Sequence, residues 1–155
     1  MPALQRLLVS LPSAILPPVS TVEEKLDLDA EGRVRHRYHL REGLLDGDLI
    51  RYDEDGLVEA VMPYHAGKLE GEGRFFDHGR LQLKVEYRNG LQDGETIVYG
   101  ENGKPTLRSH YRAGRLDGTS FWYRPDGSLL RTAEYLEGQP DGPPVEYDER
   151  GRARR

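Results

Sequence analysis

The sequence predicts an all-β protein: an antiparallel meander of repeated β-hairpins that forms one twisted or curled sheet. Three observations predict it. Glycines recur on a beat of 24 residues, once 23. An aromatic residue stands at a fixed distance behind two glycines of each beat. Between the glycines, apolar and polar residues alternate with a period of two, as in strands with two distinct faces. A fixed period of roughly 20–50 residues marks a repeat architecture whose units complete one another's core.

Residues 1–20 lack the beat and read as an N-terminal arm before a repeat domain spanning 21–155. Pro12, Pro17 and Pro18 break any long helix there, and Pro17-Pro18 reads as an extended connector. The arm's leucines are expected to dock on the first strands. Its apolar run over residues 7–16 also raises a secretory signal, but Pro12, the single Arg6 and the lack of a small-residue cleavage site weigh against one.

From residue 21 the beat begins with a partial unit at Gly32, Gly43 and Gly47. Full units follow at Gly47-Gly56-Gly67-Gly71, Gly71-Gly79-Gly90-Gly94, Gly94-Gly103-Gly114-Gly118 and Gly118-Gly127-Gly138-Gly142, then a half unit at Gly142-Gly151. In each unit a short segment reaches an aromatic five residues on: Tyr52, Phe76, Tyr99, Tyr123 and Tyr147. A polar stretch closing on glycine comes next, as in Asp53-Glu54-Asp55-Gly56, which is tight-turn chemistry. A longer segment then carries Tyr64, Tyr87, Tyr111 or Tyr135 eight residues past that glycine. A second turn, such as Asn89-Gly90, leads into the next unit.

Alternation counted from the turn glycine assigns the faces. Even positions are mostly apolar, as in Val58, Ala60, Met62 and Tyr64 or Leu81, Leu83, Val85 and Tyr87. Odd positions are mostly polar, as in Arg80, Gln82, Lys84 and Glu86. In the short segments the pairs Ile50/Tyr52, Ile97/Tyr99, Phe121/Tyr123 and Val145/Tyr147 are expected on the apolar side. The expectation is one apolar face and one solvated face.

The chain of 155 residues carries a formal net charge of −5 with 32% charged residues, which gives no general attraction to nucleic acid. Only 36% of residues are hydrophobic, and Tyr (9) outnumbers Phe (3), so a thin sheet is expected in place of a thick core. There is no Cys, which excludes disulfides and thiolate chemistry and fits the cytoplasm. If residues 1–20 act as a signal, the location is periplasmic instead.

No catalytic, cofactor-binding or metal site is expected. His36, His39, His65, His78 and His110 fall at different phases of the repeat without metal-ligand spacing. Asp53-Glu54-Asp55-Gly56 starts like a calcium loop, but its twelfth position is Tyr64 and not a bidentate acid. Gly103-Lys104 lacks the upstream glycine of a phosphate loop. Asp46, Glu70, Asp93, Asp117 and Asp141 recur before the unit glycines, which points to a turn role.

One row departs from the alternation. The fourth residue after each unit glycine is Arg51, Phe75, Val98, Trp122 and Glu146. On the expected polar face, Phe75, Val98 and Trp122 would form an apolar line flanked by Lys84, Arg108 and Leu130. An exposed apolar line of that kind marks a partner-binding surface; the alternative is that the sheet curls or the N-terminal arm covers the row.

The beat resembles the MORN-repeat family in its bacterial variant, matched by Gly94…Tyr99…Gly103-Lys104…Tyr111…Gly114…Gly118 and covering about residues 21–151. The family's turn lysine is present only at Lys68 and Lys104. The resemblance implies the hairpin fold. It also implies similarity to YwqK-type antitoxin and immunity proteins, hence a non-catalytic module that binds a toxin or effector protein. Other MORN proteins imply the alternative, a membrane-surface lipid-binding or scaffold role. No direct nucleic-acid partner is expected. Open edge strands offer a route to a homodimer.

Overall fold

A computed structural model describes residues 21–154; the expected N-terminal arm, residues 1–20, lies outside the described residues. Sixteen strands form one open antiparallel sheet. In chain order they are β1 (Val22–Leu28), β2 (Val34–Arg41), β3 (Leu44–Leu45), β4 (Gly47–Tyr52), β5 (Val58–His65), β6 (Lys68–Leu69), β7 (Gly71–Asp77) and β8 (Arg80–Arg88). The second half has β9 (Leu91–Tyr99), β10 (Pro105–Arg112), β11 (Arg115–Leu116), β12 (Gly118–Tyr123), β13 (Leu129–Leu136), β14 (Gln139–Pro140), β15 (Val145–Tyr147) and β16 (Ala153–Arg154). The main path runs β1-β2-β4-β5-β7-β8-β9-β10-β12-β13-β15-β16. The two-residue strands β3, β6, β11 and β14 pair back on β2, β5, β10 and β13 at hairpin tips. The expected meander of hairpins is the observed fold.

The two edges of the sheet turn differently. Along one edge the tips are two-residue turns with both central residues at positive φ: Glu42-Gly43, Ala66-Gly67, Asn89-Gly90, Ala113-Gly114 and Glu137-Gly138. That is the turn whose twist matches paired strands. Each later tip is tied to the one before it by a backbone bond. Gly67 donates to Leu45 (2.8 Å), Gly90 to Leu69 (2.9 Å), Gly114 to Gln92 (2.7 Å) and Gly138 to Leu116 (2.7 Å). The recurrent acids explain themselves here. Glu70 accepts from the Asn89 N–H (2.8 Å) and Asp93 from the Ala113 N–H (3.0 Å).

Along the other edge most turns are longer and organised by an aspartate. Asp53 accepts from the backbone N–H groups of Asp55 (3.0 Å) and Leu57 (2.8 Å), and Asp148 does the same for Arg150 and Arg152 (2.9 Å each). This is side-chain mimicry of a backbone turn. The N–H of Arg152, above all, holds the Asp148 carboxyl below the ordinary carboxylate value. His78-Gly79 replaces the long turn with a two-residue one, both at positive φ, which is where the 23-residue unit loses its residue.

Faces follow from register, since residues directly opposite in an antiparallel pair share a face. The register corrects the expected assignment. Arg51 stands opposite Ala60, and Ile50 opposite Val61. Phe75 stands opposite both Ala60 and Leu83; Val98 opposite both Leu83 and Leu107; Trp122 opposite both Leu107 and Arg131. The fourth residue after each unit glycine therefore lies on the face of Ala60, Leu83, Leu107 and Ala133, here called the front. Ile50, Ile97 and Phe121 lie on the back.

The physical reason is a register shift in each hairpin. Pairing skips Arg35, Glu59, Gln82, Thr106 and Leu130, each three residues past its turn glycine. One extra residue in a strand shifts the alternation by one. Tyr52, Phe76, Tyr99 and Tyr123 consequently pair with Val58, Leu81, Pro105 and Leu129 on the back, while the longer strands carry their later apolar residues to the front. Both faces carry an apolar stripe, so the expectation of one wholly solvated face does not hold.

Burial is shallow, as a single layer demands. The buried residues are Ala60, Val61, Gly73, Val85, Thr96, Ile97, Ser109, Ser120 and Ala133, all on central strands. On the front they are small: Ser120 is only 1% exposed, and its hydroxyl donates to Ser109 at 3.0 Å. Beside this row stand Tyr64, Tyr87, Tyr111 and Tyr135, each opposite a unit glycine: Gly47, Gly71, Gly94 and Gly118. A Cβ at these unit glycines would meet His39, Pro63, Glu86 or His110 and not the rings. A Cβ on the neighbouring Gly73 would come within 2.8 Å of the Tyr87 ring.

The tip turns yield a prediction. Positive φ at both turn positions favours Asn-Gly, yet Ala66 and Ala113 occupy the first. Ala66→Asn and Ala113→Asn should each stabilise the protein by about 0.5–1 kcal/mol. A raised urea midpoint at unchanged slope would show it; an unchanged or lowered midpoint would contradict it.

Candidate functional site

The front face carries the candidate site. Phe75, Leu83, Val98, Leu107 and Trp122 sit on five adjacent strands, β7, β8, β9, β10 and β12, and pair in series across them. At about 4.8 Å per strand the row is about 19 Å long. All five side chains are half-buried: they lean on the sheet and keep an open side. The row of Gly73, Val85, Thr96, Ser109, Ser120 and Ala133 beside it is buried.

Charged residues close both ends. Beyond Phe75 come Ala60 and then Arg51, whose Nε lies 2.8 Å from a Glu59 carboxylate oxygen. Beyond Trp122 come Arg131 and Glu146, 3.8 Å apart. The Arg131 guanidinium lies over the Trp122 ring, 4.8 Å from its centre. Such a contact contributes about 0.5–1 kcal/mol at an exposed site and fixes the ring's orientation. Burial first, and then the nearby Tyr64, push the Tyr87 phenol above its ordinary value, in keeping with a ring laid flat among apolar neighbours.

The sequence-derived site residues separate into groups. Phe75, Val98 and Trp122 do form one line. Lys84 and Arg108 do not flank it: they lie on the back, opposite Ile97. The alternation count put the row on the same face as these cations; the register puts it on the other. Leu130 is the residue skipped in the β12–β13 pairing, and it is exposed. Leu83, which the alternation placed on the opposite face from Phe75, and Leu107 are members of the row. The signal for them was available: both stand four past a turn glycine, as Phe75, Val98 and Trp122 stand four past a unit glycine.

The back is electrostatically self-contained. Lys84 Nζ lies 2.9 Å from Glu72, and that hydrogen bond raises the Lys84 pKa above its ordinary value. Arg74 faces the same Glu72 (4.0 Å), Arg108 faces Glu95 (3.5 Å) and Arg37 faces Glu24 (3.9 Å). These exposed pairs contribute little stability, but they neutralise the local positive field.

Among the described residues no group of three or more His, Asp or Glu is placed to hold a metal ion. The calcium-like Asp53 is occupied by its own turn, as shown above. Among the described residues no helix is long and apolar enough to cross a membrane, which leaves β-barrel insertion unaddressed.

Residues 116–137 match the MORN repeat variant family. This stretch is one hairpin, β12 and β13, and it ends at the Glu137-Gly138 tip. The match supports a MORN-repeat protein. The same tyrosine-glycine pairing, register shift and tip bond recur in the preceding units, so the matched hairpin is one copy of a structure repeated along the chain. No curated protein matches the chain.

The geometry makes Trp122 a reporter, because the chain has one Trp. Arg131→Ala should shift Trp122 emission and lower stability by about 0.5–1 kcal/mol. Trp122→Ala should keep the strand signature in circular dichroism. A collapse of that signature would mean that Trp122 is a pillar of the sheet and is not available as a contact residue.

Proposed function

We propose that the protein is a non-catalytic protein-binding repeat module, and that it binds and neutralises a bacterial toxin as an antitoxin or immunity protein. The observation that carries the binding reading is the row Phe75, Leu83, Val98, Leu107 and Trp122, half-exposed beside a row of small buried residues and closed at both ends by charge. An aromatic anchor beside Arg, at the end of an apolar strip, has the composition of an interface hot spot. The toxin reading rests on the resemblance of the repeat to bacterial antitoxin and immunity proteins. A net charge of −5 adds support, since it suits a basic partner. The alternative, a MORN-type lipid-binding or scaffold role, draws on the cations of the back face; their pairing with Glu24, Glu72 and Glu95 weakens that support.

Co-expression with the product of the adjacent reading frame tests the reading, with growth rescue and co-purification as readouts. Trp122→Ala should weaken the complex tenfold or more, about 1.4 kcal/mol. Lys84→Ala and Arg108→Ala should change affinity less than threefold. Loss of binding in the back-face variants alone would place the interface on the other side, and no rescue with no complex would remove the toxin assignment.

A further inference from the structure

The row on the front face is complementary to itself. Val98, on β9, is the middle of the nine main-path strands from β4 to β15. Outward on one side stand Leu83, Phe75, Ala60 and Arg51, in that order. Outward on the other stand Leu107, Trp122, Arg131 and Glu146. At equal steps from Val98, Leu83 matches Leu107 and Phe75 matches Trp122. One step further, the small Ala60 matches the long Arg131. At the ends, Arg51 matches Glu146. Apolar residues correspond to apolar ones, bulk to a small residue, and positive charge to negative.

We propose that a second copy of this chain covers the front face, related to the first by a two-fold axis that runs along β9. The two sheets then stack face to face with aligned strands, and the same patch serves on both sides. Three arguments select this occupant. The first is charge. Arg51 of each copy lies over Glu146 of the other, and Glu146 is exposed and 3.8 Å from Arg131 in its own chain, beyond hydrogen-bond range. The second is register. Moving the axis half a strand spacing toward β8 sets Arg51 against Arg131. Moving it the same amount toward β10 sets Glu146 against Ala60 and Arg131 against Phe75. The third is area. Nine strands at about 4.8 Å each, with three front residues at about 6.8 Å each, make a face of about 43 Å by 20 Å. Over two copies that is about 1,700 Å², the size of a standard specific interface. The tyrosines obey the same operation: Tyr87 meets Tyr111 of the second copy, and Tyr64 meets its Tyr135. The edge strands β1 and β16 take no part. The inference goes beyond the toxin reading and does not need it; a partner that takes the row has to displace the second copy.

Sedimentation equilibrium of the full chain should give the mass of two chains. Arg51→Glu and Glu146→Arg should each weaken the dimer about tenfold or more, because each sets like charges against one another at both ends of the interface. Mixing the two variants should restore affinity to within about threefold, since every altered residue then meets its opposite. Arg51 and Glu146 lie eight strand spacings apart within one chain, about 38 Å, so no contact inside a chain can produce that rescue. An unsubstituted chain that sediments as a single copy would overturn the proposal. So would a dimer that keeps its affinity in both variants, or one that the mixture does not restore. Loss of the dimer in Lys25→Pro, on the edge strand β1, with no loss in Arg51→Glu would show edge pairing and overturn it as well. Every measurement is made without a toxin, so none of the outcomes depends on the toxin assignment.

Discussion

A single sheet with no second layer must cover itself, and the rest of this structure depends on how it does so. The solution is a tyrosine laid beside small residues, most plainly Tyr87 over Gly73. Tyr64, Tyr87, Tyr111 and Tyr135 face Gly47, Gly71, Gly94 and Gly118 across the ladder, and the floor beside them is built of Gly73, Thr96, Ser109, Ser120 and Ala133. A large ring with a polar tip suits this place, because its body can be covered while its hydroxyl stays wet. Small residues beneath the rings let a thin sheet exclude water without a facing layer. The unit glycines adopt positive φ, 105° at Gly47 and 97° at Gly118, a conformation that glycine takes without the usual side-chain penalty.

The second constraint is the register shift. A meander with unbroken alternation would place every apolar residue on one side. The extra residue three past each turn glycine moves part of the apolar set to the other side, and Tyr52, Phe76, Tyr99 and Tyr123 form a second ladder there. The faces then differ in kind. On the back, Lys84, Arg74 and Arg108 sit among the apolar residues and are matched by Glu72 and Glu95. On the front the central row is apolar, and charge is kept to its ends. A partner that reads shape and apolar area has a surface to meet on the front and a neutralised one on the back.

Much of this was legible in the sequence. The glycine beat, the turn residues and the two aromatic positions are local chemistry, and the short and long strands of each full unit lie where they place them. The fold class, the hairpin order and the turn role of Asp53, Glu70 and Asp93 follow from the same signals. The faces were not legible, because they depend on which residues stand opposite one another. Ile50 and Tyr52 alternate correctly within their own strand, but alternation cannot say that Arg51, not Ile50, faces Ala60. Lys84 and Arg108 were set beside Phe75 and Trp122 for that reason. Glu59, Gln82 and Thr106 carry no glycine or proline to mark the shift, so its position emerges only from the pairing.

The most direct test of self-coverage is a double-mutant cycle at Gly73 and Tyr87, read by urea unfolding. Glycine inside a strand normally costs about 0.5–1 kcal/mol relative to alanine, so Gly73→Ala alone would stabilise a sheet that had room for it. Self-coverage predicts the opposite sign: Gly73→Ala destabilises by about 1 kcal/mol or more while the Tyr87 ring is present, and becomes neutral or stabilising once Tyr87→Val removes the ring. Additivity of the two substitutions within about 0.5 kcal/mol would contradict it.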